Sequence, residues 1–573
     1  MGSIRKPRRA VAPGSRPPIF PLRSGGVGYS VPSRVGGADD AFPASSMSAS
    51  QSEKQTALME KIVSLCKRRG FIFQSAEIYG GLNGCWDYGP LGAELKRNLK
   101  DYWWRKNVQE REDILGLDGS ILTHQDVLKA SGHVGGFSDP MCDCLLSRAR
   151  LRADQIEPQA GTAHHYTGAS HEESGWEVER PYSVLLQEGQ DENKARKTAR
   201  QYYAQFLTDK QISPKKLELR GESTEKVENT TRYNPENGSL LTEAREFNLM
   251  FKTHMGASAE DGDESSVAYL RPETAQSIFA QFKNVAETNR VKIPFGIAQI
   301  GKSFRNEINP RNYTFRSREF EQMEVEYFCR PEDGLALTDE WLERRLTFYE
   351  EIGLPREHLH ILDVPDGERA HYSKKTYDIE YEFPFGIQEL EGVAYRTDYD
   401  LSKHQEHSGK PLELFDEEKK EKLIPHVVEP SAGCDRTILA LICEAFEEET
   451  VTDDKGKEEI RTVMRFAPRM APIKVGVFPL LKNKPELVAK AREIQALLTP
   501  FMTVFYDETA AIGRRYRRQD EIGTPFCVTV DFDTLGENGD EAKDTVTLRH
   551  RDSMEQERIA IADLREYLLD RIR

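Results

Sequence analysis

Eight residues in the last third of the chain, Glu429–Arg436 with the sequence EPSAGCDR, restrict the possible folds more than any other stretch. They connect a short apolar run to a segment whose apolar side chains recur at helical spacing: Ile438, Leu439, Ile442 and Phe446. Gly433 lies at the transition, and Arg436 falls in the first turn of the predicted helix. A positive charge there opposes the helix dipole unless an anion lies nearby. The stretch therefore predicts a strand that enters a helix, with either a solvated arginine or a phosphate site at Arg436.

A second region, residues 293–328, has the pattern of a long β-hairpin. Strands are predicted over 293–304 and 320–328, with a polar loop at 309–314 between them. The two-residue period of a strand places one set of side chains on a common face: Gln299, Ser303, Arg305 and Glu307 in the first strand, and Phe320, Gln322, Glu324 and Glu326 in the second. This face gathers charges of both signs, which fits either surface ion pairs or a binding site.

Together the two regions resemble the signature motifs of class II aminoacyl-tRNA synthetases. The matching residues are Phe304-Arg305-Asn306-Glu307, Arg316-x-x-x-Phe320 and Gly433-x-Asp435-Arg436. Further stretches are similar to the dimeric glycyl-tRNA synthetases: WDYGPLG at 86–92, SGHV at 131–134, RAD at 152–154, LRPETAQ at 270–276, FEQME at 320–324 and EPS at 429–431. The resemblance covers residues 58–570.

The resemblance implies an α+β fold. A class II antiparallel-sheet catalytic domain with an insertion would precede a C-terminal α/β anticodon-binding domain. It also implies a glycine–tRNA ligase that forms AMP and diphosphate. Such an enzyme activates glycine with ATP, in the presence of Mg²⁺, and transfers glycine from glycyl-adenylate to the 3′ end of tRNA(Gly). The family pattern further implies a homodimer joined near the helix that carries Trp103 and Trp104, with no DNA or membrane as partner.

The resemblance also implies roles for residues around ATP. Arg305 would hold the α-phosphate and the glycine carboxylate as a bidentate donor, and Arg316 and Arg436 would hold the γ-phosphate end. Adenine would stack between Phe320 and Arg436, and Glu307 would recognise its amino group. Because the glycine carboxylate itself attacks the α-phosphate, no protein nucleophile is needed.

The predicted catalytic residues are Arg305, Glu307 and Arg436, and Glu389 is the predicted Mg²⁺ ligand. The complete set predicted to bind ATP is Arg305, Asn306, Glu307, Phe315, Arg316, Phe320, Glu389, Leu390, Gly433, Asp435 and Arg436.

Glycine poses a particular selection problem because it has no side chain to hold. Specificity must come from filling the space of a Cβ and from fixing the ammonium group, a task that suits carboxylates. Glu273, Glu324 and Glu429 are candidates for the ammonium, and Ser431 for excluding larger residues, although any one glutamate taken singly could be a surface acid. The complete predicted substrate set is Arg152, Glu273, Phe320, Glu321, Gln322, Met323, Glu324, Glu429, Pro430, Ser431, Ala432 and Gly433.

The 573-residue chain is too long for one hydrophobic core. Residues 1–50, rich in Pro, Gly, Ser and Arg, are predicted to be a disordered tail; they could be an organelle transit peptide, or translation could start at Met47. Residues 51–465 would form the catalytic domain, with an insertion at 155–240, and residues 466–573 the anticodon-binding domain. The acidic stretch 447–459, together with Pro468 and Pro472, is interpreted as the linker between the two domains.

Composition narrows the class of protein. A net charge of -16 argues against indiscriminate nucleic-acid binding but leaves room for a local basic patch. Such a patch is GRRYRRQDEIGTP at 513–525, which resembles the anticodon-binding domain of the glycine, threonine, proline and histidine enzymes but could also be a solvated helix face. No apolar run approaches the roughly 18 residues of a membrane span. We expect a cytoplasmic protein, or an organelle-matrix protein if the tail is a transit peptide.

Two departures from the family pattern and two alternatives remain. Thr123–Asp126 stands where many relatives carry proline, and Leu145–Ser147 stands where relatives carry further cysteines, so no zinc is expected. The chain could be a non-catalytic relative, although Arg305 and Arg436 are present, or a class II enzyme for threonine, proline or serine. Amino-acid-dependent pyrophosphate exchange would distinguish these.

Overall fold

The computed structural model describes residues 49–207, 213–256, 266–452, 456 and 458–573, with side chains described from residue 54 onward. Residues 1–48 of the predicted tail lie outside the described residues. The α-helices of the described residues are α1 (Ala49–Arg69), α2 (Pro90–Trp104), α3 (Gln125–Ala130), α4 (His133–Gly136), α5 (Glu192–Ala204), α6 (Ala275–Asn289), α7 (Gly334–Ile352), α8 (Tyr399–Ser408), α9 (Cys434–Ala445), α10 (Pro485–Leu498), α11 (Ile512–Ile522) and α12 (Ile561–Ile572).

The strands fall into several sheets, described below where they position the site. They are β1 (Ile72–Gln74), β2 (Trp86–Tyr88), β3 (Ile114–Gly116), β4 (Leu122–His124), β5 (Ser138–Asp143), β6 (Arg150–Arg152), β7 (Gln159–His171), β8 (Trp176–Leu186), β9 (Glu218–Arg220), β10 (Ser223–Thr230), β11 (Arg245–Asn248), β12 (Lys252–His254), β13 (Val267–Leu270), β14 (Phe295–Phe304), β15 (Glu319–Cys329), β16 (Leu359–Asp363), β17 (Lys375–Phe383), β18 (Gly386–Thr397), β19 (Leu414–Asp416), β20 (Glu421–Leu423), β21 (His426–Gly433), β22 (Phe446–Thr452), β23 (Glu458–Met464), β24 (Val475–Pro479), β25 (Val504–Tyr506), β26 (Phe526–Val530), β27 (Thr545–His550) and β28 (Gln556–Ala560).

A seven-stranded sheet with the order β16-β17-β18-β21-β15-β14-β3 forms the centre of the catalytic half. Its strands are antiparallel except for the parallel pair β14 and β3. The predicted hairpin is confirmed, since β14 and β15 pair continuously from Phe295 opposite Phe328 to Phe304 opposite Glu319. The segment 305–318 connects them and carries much of the site described below.

The two faces of this hairpin pack differently. On one face Ala298, Met323 and Val325 join a large hydrophobic core with residues of α2, α7 and α9. On the other face Phe295 and Ile297 pack under α6, and the same row then turns polar toward the connecting segment. Because directly opposite residues of an antiparallel pair share a face, the polar end of β14 meets the polar end of β15 there.

A smaller sheet made of β7, β8, β9 and β10 lies within the segment assigned to an insertion from sequence. Helix α5 packs against it and builds a separate hydrophobic cluster that includes Tyr166, Tyr182, Val184 and Tyr203. The bounds 155–240 remain a prediction.

The sequence departs from the family pattern near residue 124. There, His124 Nδ1 accepts a hydrogen bond from the Asp126 amide at 3.2 Å and caps the start of α3.

The C-terminal region has a five-stranded sheet of order β25-β24-β26-β27-β28, with β24 parallel to both β25 and β26. This confirms the α/β fold predicted for the C-terminal domain. The interpretation of the acidic stretch 447–459 as a linker is wrong, because most of it belongs to the antiparallel strands β22 and β23. Its carboxylates have partners: buried Arg461 pairs with Glu449 and, at 2.9 Å, with Asp520 of α11.

The arginine cluster of α11 is only partly at the surface. Arg514 is exposed, whereas Arg515 is buried and donates to the carbonyls of Pro479 and Ala510. Arg518 pairs with Asp507 at 2.6 Å. The prediction of four neighbouring arginines available to RNA is therefore wrong for Arg515, which stabilises the domain instead.

Among the described residues, none of the helices combines the length and apolar character that crossing a lipid bilayer requires.

Candidate active site

A cavity of about 390 Å³ opens on the polar end of the central sheet. Its wall is built by β15, β18 and β21, the segment 305–318, the start of α9 and residues 362–376. Most of the site residues predicted from sequence line it: Glu273, Arg305, Glu307, Phe315, Arg316, Phe320, Glu321, Gln322, Glu324, Glu389, Leu390, Glu429, Ser431, Gly433, Asp435 and Arg436.

Arg305 follows β14 directly and is held from several sides. Its amide donates to the Arg318 carbonyl at 2.9 Å, which closes the segment 305–318. Its Nε donates to the Pro272 carbonyl at 3.1 Å. The guanidinium carbon lies 5.3 Å from the ring centroid of Phe137 and 5.5 Å from that of Phe320. Two aromatic rings and one carbonyl therefore fix the position of this cation in the cavity.

Positive charge is concentrated around Arg316. Burial lowers the pKa of Arg316, and although the Glu307 carboxylate opposes this effect, the neighbouring charges of Arg152, Arg311 and Arg436 add to it. Arg316 Nη1 lies 3.8 Å from Glu307 Oε2, and that oxygen is buried without a hydrogen-bond donor among the described residues. Several arginines that repel one another suit a polyanionic ligand, and the Glu307 oxygen is an acceptor available to a ligand N–H group.

Arg436 lies in the first turn of α9, as predicted from sequence. Its Nη1 donates to the carbonyl and to Oε2 of Glu389 at 3.0 and 3.2 Å, and its guanidinium carbon lies 4.3 Å from the centroid of the Phe315 ring. Gly433 precedes the helix, and a Cβ there would lie 3.3 Å from the Arg436 side chain. The helix N-terminus and Arg436 together present positive charge at the same place.

Asp435 and Glu321 mainly contact α2. Asp435 accepts hydrogen bonds from the Tyr88 hydroxyl at 2.6 Å, Lys96 Nζ at 2.8 Å and the Glu321 amide at 2.6 Å. Glu321 pairs with Lys96 at 2.6 Å and Lys100 at 2.9 Å. These contacts separate the 390 Å³ cavity from a neighbouring cavity of about 620 Å³ beside α2, and they anchor the start of α9.

The opposite end of the cavity is acidic. Glu429 accepts two hydrogen bonds, each 2.8 Å long, from Nη1 of Arg396. Glu324 accepts a hydrogen bond from the Ser431 hydroxyl at 2.6 Å and another from the Thr274 hydroxyl. Both carboxylates are buried, and we call the group Glu273, Glu324 and Glu429 the acidic pit.

Glu273 follows β13 and completes the acidic pit. Gln276 donates to its Oε1 at 2.9 Å, and His133 Nε2 lies 3.5 Å from its Oε2. Burial alone would raise the pKa of Glu273, but His133, Arg396 and the hydrogen bond from Gln276 bring it well below its ordinary value. Glu273 therefore carries its negative charge at neutral pH.

The other two carboxyls repel each other and resist ionisation. Burial and the charges of Glu324 and Glu273 raise the pKa of Glu429 to about 8, in spite of the partly compensating Arg396. Burial and the charge of Glu273 likewise raise the pKa of Glu324, against the hydrogen bonds that it accepts. Excess buried negative charge of this kind is relieved by a bound cation.

Five predicted site residues do not line the cavity. Met323 and Ala432 point to the opposite face of their strands and belong to the hydrophobic core. Arg152 pairs with Asp139 at 2.8 Å and Asp154 at 2.6 Å, close to Glu307. The other two are Asn306, whose amide donates to the Leu249 carbonyl, and Pro430.

Sequence reasoning missed Arg396, Tyr372 and Asp400. Arg396 binds Glu429 and, at 2.8 and 3.0 Å, Asp400, and it lies 4.0 Å from the centroid of the Tyr372 ring. A charged residue at the end of the apolar run Val393–Tyr395, followed by an aspartate four residues later, is the signal that could have revealed this pair.

Comparisons with known proteins agree with this geometry. Residues 253–445 match the family model described as tRNA synthetase class II core domain (G, H, P, S and T). Residues 474–571 match the model described as anticodon binding domain. An antiparallel sheet with arginines at the end of one strand and at the start of the following helix, together with these two matches, defines a class II aminoacyl-tRNA synthetase.

Three curated relatives identify the branch of this class. A glycine–tRNA ligase of Clostridium perfringens is 47% identical over 508 residues, which cover 88% of this chain and 97% of the relative. Those of Thermus thermophilus and Rhodopirellula baltica are each 45% identical, over 90% and 88% of this chain and 99% and 98% of the relatives. The chain belongs to the glycine–tRNA ligase family. These matches favour glycine over the alternatives threonine, proline and serine.

Proposed function

We propose that the chain activates glycine with ATP and transfers it to the 3′ end of tRNA(Gly), using one cavity for both substrates of the first step. The observation that carries this proposal is the polarity of the cavity, with arginines at one end and the acidic pit at the other. Triphosphate suits the first end and an ammonium group the second. Glycyl-adenylate contains both, joined through a carboxyl group that would lie between them.

At the arginine end we assign Arg305 to the α-phosphate and the glycine carboxylate. Its fixed position between two rings supports this role, because an arginine whose orientation is already set loses little entropy when it binds an oxyanion. Arg316 and Arg436 are assigned to the γ-phosphate. Phe320 and Arg436 would stack adenine. Glu307 Oε2, which accepts no hydrogen bond among the described residues, would accept one from the adenine amino group.

The cavity has carboxylates suited to Mg²⁺ at its edge. Glu389 is half-exposed beside Arg436, and a Cβ placed on Gly392 would lie 3.8 Å from Asp378 Oδ1 and 4.0 Å from Glu389 Oε1. Mg²⁺ binds through one or two carboxylates plus phosphate oxygens and water, so these two side chains fit the ion. When bound, Mg²⁺ would neutralise phosphate charge, while Glu389 also orients Arg436.

At the acidic pit we assign the glycine ammonium to Glu273, Glu324 and Glu429. Three carboxylates around one ammonium match its three N–H donors. Ser431 is held against Glu324 by a 2.6 Å hydrogen bond, and we assign it to the wall that excludes a larger amino acid.

In the second step, the terminal ribose hydroxyl of tRNA would take glycine from the adenylate. Arg311 and Asn312 of the segment 305–318 are assigned to the acceptor end, and the C-terminal domain, through the exposed Arg514, to the anticodon arm.

We also propose a homodimer in a reducing compartment such as the cytoplasm. Exposed apolar side chains in the segments before and after α2 in the sequence support association: Ile78, Tyr79, Leu82, Ile121 and Leu122. All eight cysteines are free thiols, as in a reducing environment. Light scattering of the purified chain tests the dimer, and Leu122→Asp should weaken it.

The decisive experiment is ATP–pyrophosphate exchange with glycine, alanine, serine, threonine and proline tested separately. We expect exchange with glycine only, and its loss in Arg305→Ala. Arg344→Ala is the matched control, because Arg344 is an exposed residue of α7 whose 2.6 Å partner is Glu340. A folded protein that shows no exchange with any of these amino acids would refute the proposed activity. Normal exchange in Arg305→Ala would refute the assigned site.

A further inference from the structure

Glu326 lies below the acidic pit and does not line the cavity. It is fully buried, with 0% of its surface exposed, and in the register of the hairpin it stands opposite Ile297. It therefore occupies the boundary between the apolar row under α6 and the polar row that ends at Phe320. Nothing in the assigned reaction uses this side chain.

Glu326 has no hydrogen-bond donor within the part of the chain that the structure describes, unlike its two neighbours. Carboxylate oxygens of Glu324, Glu326 and Glu429 all lie within 4.8 Å of one another. Hydroxyl groups donate hydrogen bonds to Glu324, and the Arg396 guanidinium donates to Glu429. Both oxygens of Glu326, in contrast, are buried without a hydrogen-bond donor among the described residues.

A buried carboxylate without a donor is very costly in free energy, and the usual response is to bind a proton. Once protonated, the carboxyl becomes a donor, and neighbouring carboxylate oxygens are its natural acceptors. Of the three carboxyls, the one without donors is therefore the one that should hold the proton.

We propose that Glu326 is a positioning residue that carries a proton at neutral pH and shares it in a hydrogen bond with Glu429. This inference rests on the proposed function, in which Glu324 and Glu429 bind the glycine ammonium. A neutral Glu326 adds no further negative charge below the acidic pit, whose carboxylates face the cavity and Arg396.

The groups around Glu326 favour its protonated form. Burial, followed by the charge of Glu429, raises the pKa of Glu326 well above its ordinary value. Arg396, at the end of β18, opposes this effect, whereas Glu324 on the same strand and Asp400 of α8 add to it. Negative groups thus face Glu326 from three elements and a positive group from one.

Neutral replacements at Glu326, Glu324 and Glu429 separate this role from direct ammonium binding. Glu326→Gln keeps the shape, the neutrality and a donor, so the glycine KM in pyrophosphate exchange should stay within about threefold of wild type. Glu326→Met keeps the volume but removes the donor and should raise this KM about fivefold. Glu324→Gln and Glu429→Gln should each raise it about 10- to 100-fold, because a charge-assisted hydrogen bond is lost.

Melting temperature against pH gives a readout that a purely structural role would not move. A carboxyl whose pKa is raised in the folded protein contributes its full stability below the unfolded value, ordinarily 4.5, and loses it as pH rises toward the raised value. Wild type should therefore lose stability relative to Glu326→Gln between pH 5 and 8. The difference infrared spectrum of wild type minus Glu326→Gln at pH 7 should contain the carbonyl stretch of a protonated carboxylic acid.

Two results would overturn the inference. One is a glycine KM in Glu326→Gln raised as much as in Glu324→Gln. The other is a difference in melting temperature between wild type and Glu326→Gln that does not change with pH, together with no protonated carboxyl band in their difference infrared spectrum. If Glu326→Gln fails to fold, the difference infrared spectrum of wild type minus Glu326→Met decides whether Glu326 is protonated. If Glu324→Gln and Glu429→Gln leave the glycine KM unchanged, the proposed ammonium site fails, whereas the infrared and melting results still report on Glu326.

Discussion

Replacing Arg396 by methionine tests whether one buried arginine sets the charge of the glycine site. Arg396 is 2% exposed and donates two hydrogen bonds of 2.8 Å to Glu429 and two of 2.8 and 3.0 Å to Asp400. Methionine keeps much of the apolar stem but donates nothing, so two buried carboxylates lose their partner. Breaking a buried ion pair in this way costs about 3–5 kcal/mol. We expect the melting temperature to fall by roughly 5–10 °C.

Arg396→Met should change the KM for glycine but not the KM for ATP. Without Arg396 the pKa of Glu429 rises further above its value of about 8, so the ionised fraction that can bind the ammonium at neutral pH falls. Loss of a charge-assisted hydrogen bond of about 1.5–3 kcal/mol raises the glycine KM in pyrophosphate exchange about 10- to 100-fold. The ATP KM, set at the arginine end, should change by less than about twofold.

A matched control exists on the opposite side of the same sheet. Arg345 and Glu391 form another buried pair, 2.6 Å long, outside the cavity wall. Arg345→Met should destabilise the protein by a similar amount while leaving the glycine KM near that of wild type. If Arg345→Met raises the glycine KM as much as Arg396→Met does, or if Arg396→Met raises the KM values of glycine and ATP equally, the reasoning is refuted.

Three further predictions concern pH, ATP and tRNA. Because the pKa of Glu429 is raised to about 8 and the ionised form binds the ammonium, the glycine KM should fall as pH rises from 6 to 8; a flat profile would contradict the assignment. Arg436→Ala should raise the ATP KM about 10- to 100-fold with little change for glycine, measured by exchange at saturating partner substrate, and an unchanged ATP KM would contradict it. Arg514→Ala should lower kcat/KM for tRNA charging but not pyrophosphate exchange. In contrast, Arg515→Ala should lower the melting temperature of the C-terminal domain, since its side chain donates to buried carbonyls; equal effects of the two variants on stability would argue against this division.

The hairpin and the start of α9 were predictable because each depends on local pattern. A period of two over 293–304 and 320–328 favours strands, and Gly433 followed by apolar residues at helical spacing favours a strand that enters a helix. Both are observed. The short motifs around Arg305 and Arg436 then indicated the class, which the family model over 253–445 confirms.

Burial and pairing across long separations were not predictable. The face that carries Glu324 and Glu326 could equally have been a solvated surface, and only the packing of α6, α8 and β21 shows that it is buried. The acidic stretch 447–459 has the composition of a linker, and its partners Arg461 and Asp520 become neighbours only in the folded chain. Arg396 was missed for the same reason, since it acts on Glu429, 33 residues further along the chain.

The register of β14 and β15 connects stability to specificity. Met323 and Val325 point into the hydrophobic core, whereas Glu324 and Glu326 on the same strand point to the other face. A slip of one residue would exchange these two sets, burying two carboxylates among apolar side chains and exposing Met323 to the cavity. Burial of a side chain of that size contributes about 1.5–3 kcal/mol, and isolated buried carboxylates are far more costly. The hydrophobic packing that favours this register therefore also determines which glutamates face the proposed glycine site.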